Sequence, residues 1–192
     1  MWWVELLNSF VSVLDSGGAG GGAGAYESIA TIIASSAATT ITFSSIPSTY
    51  KHLQVRWIAN THNATSNEGL YIQFNGDTAG NYSWHALNGD GSGAYSNGAA
   101  NVTYPCLTAA VLPATGTTYG VGILDVQDYS VTTKNKTARM IAGRDTNGAT
   151  TQTINLSSGA WFNTAAITSL SFRTGTGFSN TSTFSLYGIK GE

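Results

Sequence analysis

The side chains that could act as acid, base or nucleophile are few and scattered. They are His52, His62, His85, Glu68, Asp77, Asp90, Asp125, Asp128 and Asp145. Glycoside hydrolysis needs two carboxylates facing one cleft. Asp125 and Asp128 are three residues apart in a segment that reads as a strand, which predicts opposite faces. Asp77 and Asp90 stand in Gly-rich stretches, where aspartate is a usual turn residue. No GxSxG, HExxH, Walker-type loop or CxxC pattern occurs. The stretch Asn88-Gly89-Asp90-Gly91-Ser92 offers oxygen ligands but lacks the acidic density of a calcium loop, so it reads as a tight turn. Cys106 is the single cysteine, so no disulfide framework exists. It sits in the apolar run Tyr104 to Leu112 and reads as a buried thiol. These residues predict no catalytic centre, no metal site and no cofactor; the expectation is a protein that is not an enzyme.

Aromatic side chains are the other chemical resource. An exposed Trp or Tyr beside Asn and Asp can stack on a sugar while the polar partners bind its hydroxyls. Tyr82, Trp84 and His85, with Asn88 and Asp90 nearby, form the best such cluster and are the candidate glycan-binding residues. The competing reading places these rings in a core or a subunit interface, as is usual for Trp in a β-sandwich.

The elements that must position these residues read as β-strands. From Tyr26 onward, short segments rich in Ile, Val, Thr, Tyr and Phe recur between Gly, Asn, Asp and Ser. The predicted strands are 26–34, 39–44, 52–60, 69–75, 82–87, 102–111, 120–128, 138–144, 152–156, 169–174 and 183–189. Ile41 and Phe43 alternate with Thr40, Thr42 and Ser44; Leu170 and Phe172 alternate with Ser169, Ser171 and Arg173. One buried and one wet face fit antiparallel sheets. The predicted fold is all-β, an antiparallel two-sheet sandwich of the jelly-roll kind.

Composition narrows the partners. The chain has 192 residues, eight of them Lys or Arg, and a net charge of -2. Eight cations cannot build a phosphate-binding field, so nucleic acid is excluded as a partner. Only 9% of residues are charged, and Ser and Thr occupy the wet positions of the strands. Low charge weakens the usual guard against edge-to-edge pairing. A homo-oligomer is therefore expected, with a trimer favoured. No apolar stretch of 18 residues occurs, so no membrane span is expected.

Residues 1–16 read differently. Trp3, Leu6, Leu7, Phe10, Val11 and Leu14 fall at the spacing of one helical face, with Trp2 beside them. Residues 17–25 are a Gly-rich linker that cannot propagate a helix. The organisation is thus an amphipathic anchor helix (1–16), a tether (17–25) and a β-sandwich domain (26–192). An isolated helix of this length is marginal in water and needs a surface. The first reading is that Trp2, Trp3, Leu6, Leu7, Phe10, Val11 and Leu14 dock into another protein. The second is that the segment folds back on its own domain or self-associates.

A set of short motifs carries a resemblance. They are Tyr26-Glu27-Ser28-Ile29-Ala30-Thr31, Ile41 to Leu53, Phe74-Asn75-Gly76-Asp77, Tyr82, Ser157-Ser158-Gly159-Ala160-Trp161, Ala166 to Leu170, and the ending Ser185 to Lys190. Together, and in this order, they resemble a virion structural module of tailed bacteriophages, especially aquatic ones. The resemblance covers about residues 26–192. It implies a non-enzymatic β-sandwich on the virion surface, assembled in the host cytoplasm, with other virion proteins as partners through residues 1–16. The role it implies is a tail fibre or baseplate appendage, with host surface polysaccharide as a partner. A capsid decoration protein is the alternative, and a free carbohydrate-binding module is a further one.

Overall fold

The computed structural model describes residues 24–62, 68–104, 117–145, 147 and 153–191. The anchor residues Trp2, Trp3, Leu6, Leu7, Phe10, Val11 and Leu14 lie outside the described residues, as does Cys106.

Eleven strands occur: β1 Tyr26–Ile33, β2 Thr40–Phe43, β3 His52–Ala59, β4 Tyr71–Phe74, β5 Tyr82–Gly89, β6 Ala94–Val102, β7 Gly120–Gln127, β8 Lys136–Arg144, β9 Thr153–Trp161, β10 Leu170–Arg173 and β11 Thr183–Ile189. The larger sheet has eight strands in the order β1-β11-β3-β7-β8-β9-β5-β6, and the smaller has three in the order β2-β10-β4. All pairings are antiparallel.

The alternation read from the sequence becomes layering. In β3, Leu53, Val55 and Trp57 face inward while Arg56 and Ile58 face out. In β7, Leu124 and Val126 point in; in β8, Ala138, Met140 and Ala142 do. These side chains share one core with Ile41 and Phe43 of β2, Ile72 and Phe74 of β4, and Leu170 and Phe172 of β10. Phe172 is the hinge of that core, with its ring 5.8 Å from Trp57 and 5.0 Å from Phe184. The small sheet therefore lies over the inner face of the large one. Gly122 pairs with Trp57, and a Cβ there would come within 2.1 Å of the indole. The missing side chain lets that ring lie against the sheet.

Two differences from the expected strands have physical causes. A strand is found at Ala94–Val102, a segment of Ala, Ser, Asn and Gly with little strand propensity. The β5–β6 hairpin holds it: Asp90 accepts from the backbone of Ser92 and Gly93 at 2.9 Å, closing the turn. Strand β9 runs on to Trp161 through Ser157-Ser158-Gly159-Ala160, because it is paired on both sides, to β8 and to β5. Residues 105–111 of the strand expected at 102–111 lie outside the described residues.

Two charged groups, one buried and one partly exposed, fix the loops beside β7 and β8. Lys136 is 1% exposed, and its ammonium donates to the carbonyls of Val131 (2.6 Å), Lys134 (2.9 Å) and Thr164 (2.9 Å). Asp128 ends β7 at a positive φ of 49° and pairs with Lys51 at 2.9 Å and with Lys134. It leaves the strand there, so it does not oppose Asp125 across the sheet as the spacing had suggested. Lys134 and then Lys51 pull the Asp128 carboxyl down to about 2. A depressed carboxylate adds stability above its unfolded value, near pH 4, and loses it as pH falls through the folded value. Asp128→Asn should therefore flatten the fall in melting temperature between pH 5 and pH 2. Parallel parent and variant curves across that range would refute the pairing.

Candidate functional site: the outer face of the large sheet

Nothing among the described residues covers the outer face of the large sheet, and strand register arranges it in rows. One row runs Ile33, Thr183, Ile58, Val121, Gly143, Ile154 and Gly89. The next runs Thr31, Ser185, Arg56, Ile123, Ile141, Leu156 and Leu87. Together they form an apolar band across the sheet. Its exposed aliphatic side chains range from Ile58 at 45% to Ile33 at 66%. Gly143 and Gly89 flank Ile154 in the register, and the Ile154 side chain leans over Gly89, where a Cβ would come within 3.3 Å of it. An open depression of about 690 Å³ lies here, bordered by Arg56, Val121, Ile141, Gly143, Arg144 and Ile154.

The third row is polar: Ser28, Tyr187, Gln54, Asp125, Arg139, Ser158 and His85. A hydrogen-bond chain links its middle. Arg139 donates to Asp125 at 3.3 Å, Gln54 donates to Asp125 at 2.9 Å, and Arg56 donates to Gln54 at 2.9 Å. The Arg56 guanidinium also lies 5.7 Å from the Tyr187 ring centre and 6.0 Å from that of Tyr26, within cation–π reach. A second depression, about 810 Å³, is bordered by His85, Gly98, Arg139, Leu156 and Ser158. The face thus pairs an apolar band with a self-satisfied polar border. That chemistry suits contact with another apolar surface.

The five candidate glycan-binding residues do not share a face. Tyr82, Trp84 and Asn88 sit at alternate positions of β5 and point inward. Tyr82 is fully buried, its ring 6.3 Å from Trp161 and 6.4 Å from Phe74. Burial pushes its hydroxyl up to about 12. Trp84 packs in a small cluster with Ala86, Tyr71, Ala99, Val102 and Tyr104. Asn88 bridges Asn97 at 3.1 Å and Asn155 at 2.8 Å. His85 alone faces outward, and Asp90 serves the β5–β6 turn. Hydrogen bonds from Ser92 and Gly93 lower the Asp90 carboxyl. The buried Tyr82 and Trp84 rings therefore offer no face to a sugar.

The remaining titratable residues are engaged locally. His52 Nδ1 accepts from the Asp128 amide at 3.1 Å, and His62 Nδ1 lies 3.1 Å from the Ser36 hydroxyl. Asp77 accepts from Trp161 Nε1 at 2.7 Å and from Asn81 at 2.9 Å. These bonds lower its carboxyl against the opposing effect of burial. Asp145 accepts from the Asn147 amide at 2.8 Å. Among the described residues, no group of three or more His, Cys, Asp or Glu stands close enough to hold a metal ion.

No protein family and no curated protein matches the chain. Among solved structures, it is similar to a variant of alginate lyase Aly36B in complex with an alginate tetrasaccharide. The identity is 10% and the TM-score 0.29, over 74% of this chain and 72% of that one. A likeness at that level defines neither a shared fold nor a shared activity.

Proposed function

We propose that this chain is a non-enzymatic structural protein of a tailed-bacteriophage virion, a surface-exposed β-sandwich held to the particle by its N-terminal segment. The virion assignment rests on the motif resemblance across residues 26–192. The observation that carries the anchoring is the pairing of β1 with β11, which joins the first strand to the last from Tyr26↔Ile189 to Ile33↔Thr183. That pairing holds β1 at the edge of the large sheet without using residues 1–16, whose helical spacing of apolar side chains then supplies the docking face. Tail fibre or baseplate appendage is the role we assign, with host polysaccharide as a partner through surfaces other than the Tyr82 and Trp84 rings.

The jelly-roll reading belongs to the same proposal. It is supported by nesting: β1–β11, β2–β10 and β3–β7 are antiparallel pairs that enclose one another in sequence. A long hairpin rolled into two layers gives that order. Strands β8, β9, β5 and β6 then extend one layer only.

The apolar band favours capsid decoration as a second reading, since a module packed in many copies covers such a face. A homo-oligomer, with three copies favoured, fits either role. Quantitative mass spectrometry of purified particles separates them. A small fraction of the shell protein's abundance is the expected result. Abundance equal to the shell protein would replace the tail role with decoration. Absence from the particle would overturn the virion assignment itself.

A further inference from the structure

We propose that, in the free chain, residues 1–16 lie as an amphipathic helix over the apolar band of the chain's own large sheet. Two apolar surfaces in this chain lack a partner among the described residues. One is the band formed by Ile33, Ile58, Val121 and Ile154 with Ile141 and Leu156, all exposed. The other is the face that the spacing of Trp3, Leu6, Leu7, Phe10, Val11 and Leu14 would present on a helix. A sheet with one bare apolar face and a helix with one apolar stripe form a standard pair of layers.

Size, reach and charge all fit. Sixteen helical residues span about 24 Å. From Leu87 on β5 to Ile33 on β1 there are six strand spacings, about 29 Å. Ala25, just ahead of β1, lies beside Lys190, whose amide donates to its carbonyl at 3.0 Å. Seven residues of β1, about 23 Å, separate Tyr26 from the Ile33 row. The eight residues 17–24 ahead of Ala25 extend to about 26 Å, enough to return the helix to the band. Held on so short a leash, the helix meets the band at an effective concentration in the millimolar range. The segment carries Glu5 and Asp15 and no Lys or Arg. The depression in the band is bordered by Arg56 and Arg144. Arg144 Nε and Nη1 are buried without a hydrogen-bond partner among the described residues.

This inference is independent of the virion assignment. It concerns the free chain, and docking on a particle becomes an exchange of one apolar surface for another.

Tryptophan fluorescence tests it on the full chain without any particle. Trp57, Trp84 and Trp161 are buried in the β-domain, at 4%, 9% and 1% exposure. Quenching by acrylamide therefore reports on Trp2 and Trp3. The parent chain should be quenched weakly, and independently of its concentration. Ile141→Asp with Ile154→Asp should raise quenching several-fold while leaving the circular dichroism spectrum unchanged. Phe10→Asp with Leu14→Asp should do the same from the other side, with the β-domain sequence untouched. Ser158→Asp, on the polar row, should change nothing. Equal quenching of the parent and both double variants would overturn the proposal. So would protection that vanishes on dilution together with a dimer in light scattering, because a second copy would then be what covers the band.

Discussion

Replacing Lys136 by alanine should lower stability by about 3–5 kcal/mol, combining loss of a buried stem with loss of donors to buried acceptors. At this chain length each kcal/mol moves the melting temperature by roughly 2–4 °C, so a drop of about 6–20 °C is expected. The ammonium joins three carbonyls from two separate loops, those of Val131, Lys134 and Thr164. Burial lowers the pKa of Lys136, the second effect being repulsion from Lys134. The charge is tolerated because all three donor directions are used. Lys136→Met separates the two contributions. It keeps the stem against the neighbouring Trp161, its register partner on β9, and removes only the donors. About half the loss should remain. A loss under about 1 kcal/mol for alanine would mean that water replaces the ammonium at the carbonyls. Thermal melts of the three proteins at pH 7 decide this.

Most strands were legible because their alternation is written in residue types. Leu53, Val55 and Trp57 of β3, and Phe184 and Leu186 of β11, face inward as their spacing requires. Strand β6 was not legible, since Ala94–Val102 has neither β-branched runs nor aromatic alternation. A turn and a neighbour hold it, and neither leaves a mark on periodicity. The candidate glycan cluster failed on parity. Tyr82, Trp84 and Asn88 are an even number of residues apart, so they share the inner face that excludes His85. Reading the cluster by alternation rather than by proximity would have separated them. The apolar band is not legible in the sequence for a different reason. Val121, Ile123 and Leu124 lie together in the strand expected at 120–128, and alternation sends Val121 and Ile123 outward and Leu124 into the core. Only pairing across β3, β7, β8, β9 and β5 turns isolated outward aliphatics into one surface, and strand order cannot be read from a period of two.

Deleting residues 1–16 should abolish incorporation into particles while leaving the β-domain folded. The argument is energetic. Each large apolar side chain of the anchor contributes about 1.5–3 kcal/mol when it is fully buried. Six such side chains on one helical face would supply most of the docking free energy, so their removal should reduce occupancy at least tenfold, a change of about 1.4 kcal/mol or more. The folded core does not depend on them, because β1 is paired with β11 from Tyr26 onward. Parent and deleted chains supplied together during infection, then counted by mass spectrometry of the particles, give the ratio directly. The same deletion uncovers the band of Ile33, Ile141 and Ile154, so an apolar dye should bind the deleted chain more strongly than the parent. The two readouts fail separately. Normal incorporation of the deleted chain would end the anchoring role and leave the stowed helix standing. Lost incorporation with no gain in dye binding would do the reverse: the segment would be an anchor that never rests on its own sheet.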